Sequence, residues 1–211
     1  MREPPSGRRY RWRLEASPLS SADEIAERYL KRAIAEINDL GSEIAQHAGP
    51  ETLHVLGSGH PQGDIFMLKY MPQPAELQEG VAFFGRSGQA VLKSLQRLRV
   101  DPTSIYGTNV VKMAELPVDD ACRWIEREIH TVQPKILIVM GEEAREFVNE
   151  LEFPLSSPIE NEIGVPQEWT PTIQSLVTPD VDASLDEQDT KRAFWEAFKA
   201  LGPWWAEQPP Y

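Results

Sequence analysis

Three short segments carry residue types whose spacing suits binding chemistry. Gly80, Gly85 and Gly88 bracket Phe83 and Phe84 immediately before an amphipathic stretch. Glycines there permit close backbone approach, and a helix starting at that point offers unpaired N–H groups to an anion. Residues 105–112 read IYGTNVVK, a strand pattern that delivers Asn109 near its middle. A carboxamide donates and accepts at once, which suits the edge of an amide-like base. The third segment, PKILIVMG at 134–141, is a buried-type strand ending in Gly141. Each has an ordinary alternative: the glycine run also reads as a tight loop, and Asn109 as a side chain satisfying backbone groups.

Other chemistry-bearing residues point less far. His47, His54 and His60 lie within 14 residues, but spacings of seven and six match no helical metal pair, so no metal site is expected. The lone Cys122 excludes a disulfide framework and any multi-cysteine zinc or iron–sulfur site; it reads as a small buried apolar residue. Asp180, Asp182, Asp186, Glu187 and Asp189 form an acidic run, read as a solvated loop entering a helix rather than a cation site. Trp195, Phe198, Trp204 and Trp205 read as packing of the last helix and tail. In the first 20 residues, Arg2, Arg8, Arg9, Arg11 and Arg13 accompany Tyr10 and Trp12. That segment is either a basic arm that stacks on nucleic acid or a poorly ordered terminus.

The elements that would position these residues follow from periodicity. Residues 21–46 form an apolar stripe through Ile25, Tyr29, Ala33, Ile37 and Leu40, with Ser21 as N-cap and Asp23 and Glu24 in the first turn. Gly41 is expected to end or interrupt that helix. Further helices are expected at 86–98, 119–131, 142–151 and 189–201, and strands at 53–56, 64–70, 105–111, 135–140 and 173–177. Residues 152–172, with four prolines and no clear period, read as a long loop. The division expected is a basic arm at 1–20 and one α/β domain over 21–211.

With 21 Lys+Arg against 33 Asp+Glu, the 211-residue chain carries a net charge of −12, which disfavours indiscriminate binding to phosphate backbone. At 41% hydrophobic and 26% charged it reads as globular, with no apolar run near the roughly 20 residues that span a bilayer. A cytoplasmic location is the expectation.

In order and spacing these segments resemble the uracil-DNA glycosylase superfamily, specifically its family 4 type, over roughly residues 53–201. The matching stretches are VLGSGHPQGDIFML (55–68), KYMPQPAELQEGVAFFGRSG (69–88), YGTNVVK (106–112), ACRWIEREI with QPKILIVMG (121–129 and 133–141), and KRAFWEAFKAL (191–201). The second corresponds without a gap to the family's GEAPG, acidic stretch and GxPFVGxxG loop. The resemblance implies an α/β three-layer sandwich, with a central mostly parallel sheet flanked by helices. It implies hydrolysis of the N-glycosidic bond of uracil or a modified base in DNA, for base-excision repair. Phe83 takes the base-stacking position and Asn109 the uracil-reading position, in a pocket supported by Pro72, Gly80, Gly85 and Gly88. Glu76 falls on an acidic position suited to placing water, and Tyr70 on that of the family's glutamate at the base.

The same match exposes departures. GEAPG has become KYMPQ, so Lys69 and Gln73 replace its two glycines and only Pro72 survives. Thr178, Pro179 and Asp180 stand for the HPS-type motif, putting Thr178 in place of a charge-stabilising histidine. Losing one such donor costs about 10²–10³ in rate. Met113 and Cys122 fall where cluster cysteines would lie and the N-terminal CxxC pair is missing, so no cofactor is expected. The first helix, over 22–40, is expected to take the structural role of the lost cluster loop. Uracil-containing or single-stranded DNA is the partner implied, opposed by the acidic run. Arg86 and Lys112 are either structural or phosphate contacts. A glycosylase fold without catalysis, holding a base, nucleic acid or a protein partner, is the alternative.

Overall fold

The computed structural model describes residues 21–209; the basic arm expected at 1–20 lies outside the described residues. Six strands form one sheet: β1 (Ser58–Gly59), β2 (Ile65–Lys69), β3 (Ile105–Asn109), β4 (Ile136–Met140), β5 (Pro166–Thr170) and β6 (Ile173–Thr178). Their spatial order is β1-β3-β2-β4-β6-β5. The inner four are parallel, and each edge strand is antiparallel to its neighbour.

Alternate side chains of the parallel strands feed two cores, because successive residues of a strand face opposite sides. Phe66, Leu68, Tyr106, Leu137, Val139 and Val177 pack with α4 (Val118–Val132) and α5 (Glu142–Glu150). Ile65, Met67, Ile136, Ile138, Met140 and Leu176 pack with α3 (Arg86–Leu98), α6 (Gln188–Phe198) and α7 (Leu201–Ala206). The result is the expected α/β sandwich with a mostly parallel central sheet. From β2 the chain runs through α3 to β3 on one side, then through α4 to β4 on the other. Open α/β sheets bind ligands outside the carboxyl ends of strands at such a reversal.

Several expectations about elements are corrected. Residues 53–56 form no strand; His54 and Leu56 make isolated bridges to Met113 and Val81. The 152–172 stretch contains β5, an edge strand opened by Pro166, whose missing N–H is tolerated there. The short helix α2 (Pro74–Glu79) falls in a segment to which the sequence pattern assigns no element, and the last helix divides into α6 and α7.

Helix α1 (Ser21–Ala48) runs straight through Gly41, which lies so close to Leu56 that an added Cβ would meet its side chain at 3.2 Å. Leu40 and Ile44 bury against Met113 and Trp124. Glu43 fastens the contact, accepting from Trp124 Nε1 at 2.9 Å, Arg127 Nη1 at 2.8 Å and Arg123 Nη2 at 3.3 Å. The Trp124 bond first, then the two guanidinium charges, hold the Glu43 carboxyl below the ordinary glutamate range. A lowered folded-state value means the stabilisation is full above the unfolded value and is lost as pH falls through the folded one. Glu43→Ala leaves the buried indole N–H unpaired and is expected to cost about 1–2 kcal/mol in urea unfolding at pH 7. The difference from the parent should shrink as pH drops from 5 toward 3, whereas an undiminished difference at pH 3 would contradict the charge-based fastening.

Candidate functional site

The carboxyl ends of the parallel strands bring four residues into one row. Register pairs Lys69 with Asn109 on one side and Met140 on the other, and Met140 with Thr178. All four project to the face covered by α3 and α6, as their alternation with the core residues of that face requires. Phe83 packs on the same face. Its ring lies against Gly107, two residues before Asn109, where a Cβ would come within 2.7 Å of Cδ2.

The loop that carries Phe83 is held by backbone geometry. Gly80 closes α2 in the left-handed region and Gly85 opens α3 at φ 86°, while Phe83 itself sits at φ 57°. Gly88 passes so close beneath this loop that a Cβ would stand 1.9 Å from the Phe83 carbonyl oxygen. Pro72 is buried at the start of the same segment. The run of glycines therefore shapes the loop that places one aromatic ring.

A buried ion cluster fills the centre of the row. Lys69 is completely buried; its Nζ donates to Glu76 Oε2 at 2.6 Å and to Asp182 Oδ2 at 2.6 Å. The same ammonium stands 5.5 Å from the Phe83 ring centroid, within cation–π range. Glu76, also fully buried, accepts from the Gln73 N–H at 2.6 Å through Oε2 and from the Phe83 N–H through Oε1. It thus caps α2, pins the aromatic loop and pairs with Lys69. Its two oxygens are already committed to three donors, which leaves it poorly placed for the expected role of positioning water.

The other expected residues divide. Asn109 is fully buried, and neither its Oδ1 nor its Nδ2 has a hydrogen-bond partner within the protein. Thr178 spends its hydroxyl on the Pro179 carbonyl at 3.1 Å. Tyr70 is one residue beyond Lys69, so it turns to the opposite face and packs on the core beneath α4 and α5. The sheet keeps it from sharing a slot with Phe83 and Asn109, and the expectation of a base contact there is corrected.

Asp182 is the residue that sequence reasoning placed wrongly. It stands in the acidic run read as solvated, yet it closes the Lys69 cluster from 113 positions away, and its Oδ1 is buried with no partner. Burial raises the neighbouring Asp180 carboxyl above the ordinary aspartate range; the Asp182 N–H opposes this and the Asp182 charge adds to it. The available signal was Lys69 itself, since an ammonium ending a buried strand requires carboxylates. Ser87, in the first turn of α3, is likewise buried with an unpartnered hydroxyl.

Lys112 does not face a phosphate path. It is fully buried on a separate network, donating to Glu128 at 3.0 Å and Thr108 at 2.7 Å, while Tyr106 donates to Glu128 at 2.9 Å. Burial, then the Glu128 charge, pushes the Tyr106 hydroxyl well above its ordinary range. Cys122 is half-buried, and desolvation raises its thiol. Among the described residues no group of three or more His, Cys, Asp or Glu could hold a metal, and no helix is long and apolar enough to cross a membrane.

Removing the ammonium should expose how the row is held. Lys69→Met leaves Glu76 and Asp182 buried without their cation and is expected to cost about 3–5 kcal/mol in chemical unfolding. A loss below about 1 kcal/mol would show that the cluster is not a structural clamp.

Comparison with known proteins bears on this geometry. A family model described as the uracil DNA glycosylase superfamily matches residues 56–202. A type-4 uracil-DNA glycosylase of Archaeoglobus fulgidus is 20% identical over 171 residues, covering 76% of this chain and 86% of that protein. The matched region spans every parallel strand and the Phe83 loop, and by that match the chain belongs to the uracil-DNA glycosylase superfamily.

Proposed function

We propose that the Phe83–Asn109 face at the carboxyl ends of β2, β3 and β6 opens to recognise a pyrimidine-type base extruded from DNA, and that hydrolysis of its N-glycosidic bond is strongly weakened. One observation carries this reading: the completely buried carboxamide of Asn109, with no partner for either polar atom, on the same sheet face as the Phe83 ring. Folded proteins rarely leave such a group unsatisfied. The edge of a base presents one acceptor and one donor and would satisfy both atoms, while the ring offers a stacking face.

Weak hydrolysis follows from what surrounds that pair. A glycosylase must stabilise a cationic sugar and an anionic leaving base while placing water. Here the Thr178 hydroxyl is turned to a backbone carbonyl, Glu76 is spent on three donors, and Lys69 stands over the ring where a base would stack. Entry of a base therefore requires the ammonium to move or to become a ligand of the base.

A second reading, a working uracil or modified-base glycosylase with rebuilt chemistry, is favoured by Lys69 itself. In register it lies next to Asn109, where negative charge would develop on a departing base. Asp182 Oδ1 supplies a buried acceptor for water. Against it, two carboxylates already neutralise that cation.

Incubation with single- and double-stranded oligonucleotides containing one uracil, followed by alkali, separates the two. The first reading predicts saturable uracil-dependent binding that Asn109→Ala abolishes, with cleavage at least about 10²-fold below a competent family enzyme. Rapid cleavage lost in both Asn109→Ala and Lys69→Met would establish the second. Neither binding nor cleavage would overturn the base-site assignment.

A further inference from the structure

A second site lies beside the crevice, on the outer surface between α3 and α6. A cavity of about 440 Å³ is lined there by Arg86, Lys93 and Arg97 from α3, by Lys191 and Trp195 from α6, and by Gln89 among others. No Asp or Glu belongs to its lining. That is unusual in a chain of net charge −12. Lys93 and Lys191 are exposed, with no carboxylate within ion-pair distance among the described residues. Arg97 lies 5.5 Å from the Trp195 ring, holding guanidinium and indole together. Acids of the 180–189 run stand at its rim: Asp186 pairs with Arg86 at 2.7 Å where both are largely exposed to solvent, and the Glu187 carbonyl accepts from the Lys191 N–H at 2.9 Å.

The placement of these cations has a direction. Arg86 begins α3 immediately after Gly85, three residues past Phe83, so one end of the groove lies next in sequence to the aromatic loop. Arg97 is in the last turn of the same helix, about 16 Å further along its axis. A cationic groove that tracks away from a base site and carries an aromatic ring is the arrangement that binds a single strand.

We propose that the α3–α6 groove binds the phosphates of single-stranded DNA and leads the strand from the Phe83–Asn109 crevice. The proposal rests on the reading of that crevice as a base site, but its electrostatics stand apart from it. It names the substrate as single-stranded and gives an acidic protein a local route around the repulsion that its acidic run imposes on a polyanion.

The test is fluorescence anisotropy of the full chain with a labelled 12-residue oligonucleotide. The oligonucleotide is used with and without uracil, single-stranded and in duplex, between 50 and 200 mM salt. Lys93→Glu with Lys191→Glu changes two exposed residues outside the crevice, and circular dichroism checks its fold. Single strands should bind at least tenfold tighter than duplex, and the charge-reversed protein should lose at least tenfold at 50 mM salt. Removing two phosphate contacts should flatten the slope of log affinity against log salt by about 1.4. The milder pair Lys93→Gln with Lys191→Gln should lose a smaller share in the same direction.

Equal affinity of parent and reversed proteins, tighter binding of duplex, or no single-strand binding at any salt would overturn the groove. Displacement of the oligonucleotide by equimolar free thymidine monophosphate would overturn it too, marking a nucleotide pocket instead of a strand track. Uracil preference that survives charge reversal with unchanged affinity would leave the crevice reading standing and the groove fallen. Charge-dependent binding without uracil preference would do the opposite.

Discussion

An ammonium without solvent cannot stand alone, and the ends of three segments are arranged around that requirement. Lys69 ends the central strand, Glu76 comes from the short helix that follows, and Asp182 arrives from beyond the last parallel strand. Breaking such a buried pair is far more costly than never having built it, because each remaining charge is left in low dielectric. Glu76 extends the constraint to the aromatic loop through the Phe83 N–H, so ring and ammonium are placed by one carboxylate. The position of Phe83 is thereby tied to charge pairing as well as to apolar packing.

This clamp divides the site into two parts with different fates. On one side stand a carboxamide and an aromatic ring, groups whose chemistry suits a flat polar molecule. On the other, three groups that could assist bond breaking are occupied in holding the fold, Glu76 by three donors, Thr178 by a carbonyl and Lys69 by two acids, while Asp182 Oδ1 stays unpartnered. Membership in a glycosylase superfamily describes descent and architecture, while activity depends on which side chains remain free to act. The charge distribution sharpens the contrast, since the acidic loop and the cationic α3–α6 groove lie at one edge of the molecule.

How much of this was legible in the sequence depended on range. The strand ILIVM declares itself as a continuous apolar run and Ile125 and Ile129 by helical period, whereas Cys122, read on the same face, is only half-buried and Ala121 takes its place in the core. β5 was hidden because an edge strand reading PQEWT is half exposed and opens on a proline, so its pattern is that of a loop. Gly41 suggested a helix end, but packing against Leu56 outweighs its weak propensity. At the site, alternation along β2 places Lys69 and Tyr70 on opposite faces, which the motif match alone did not weigh. Asp182 and Glu128 are carboxylates whose partners lie 113 and 16 positions away, and no local pattern distinguishes them from solvated acids. Buried charge clusters are tertiary facts, visible in sequence only as a lysine where a strand should be apolar.

The account turns on Asn109 being a reader of bases and not an idle buried amide. Its side-chain amide resonances, identified by their loss in Asn109→Asp, report that directly in ¹H–¹⁵N spectra during titration with a uracil-containing single strand. A saturable shift of that amide pair, absent with a thymine-only strand of equal length, is the predicted result. Resonances unmoved at saturating strand would contradict the assignment of this site to a nucleobase, and resonances moved equally by both strands would contradict a preference for uracil.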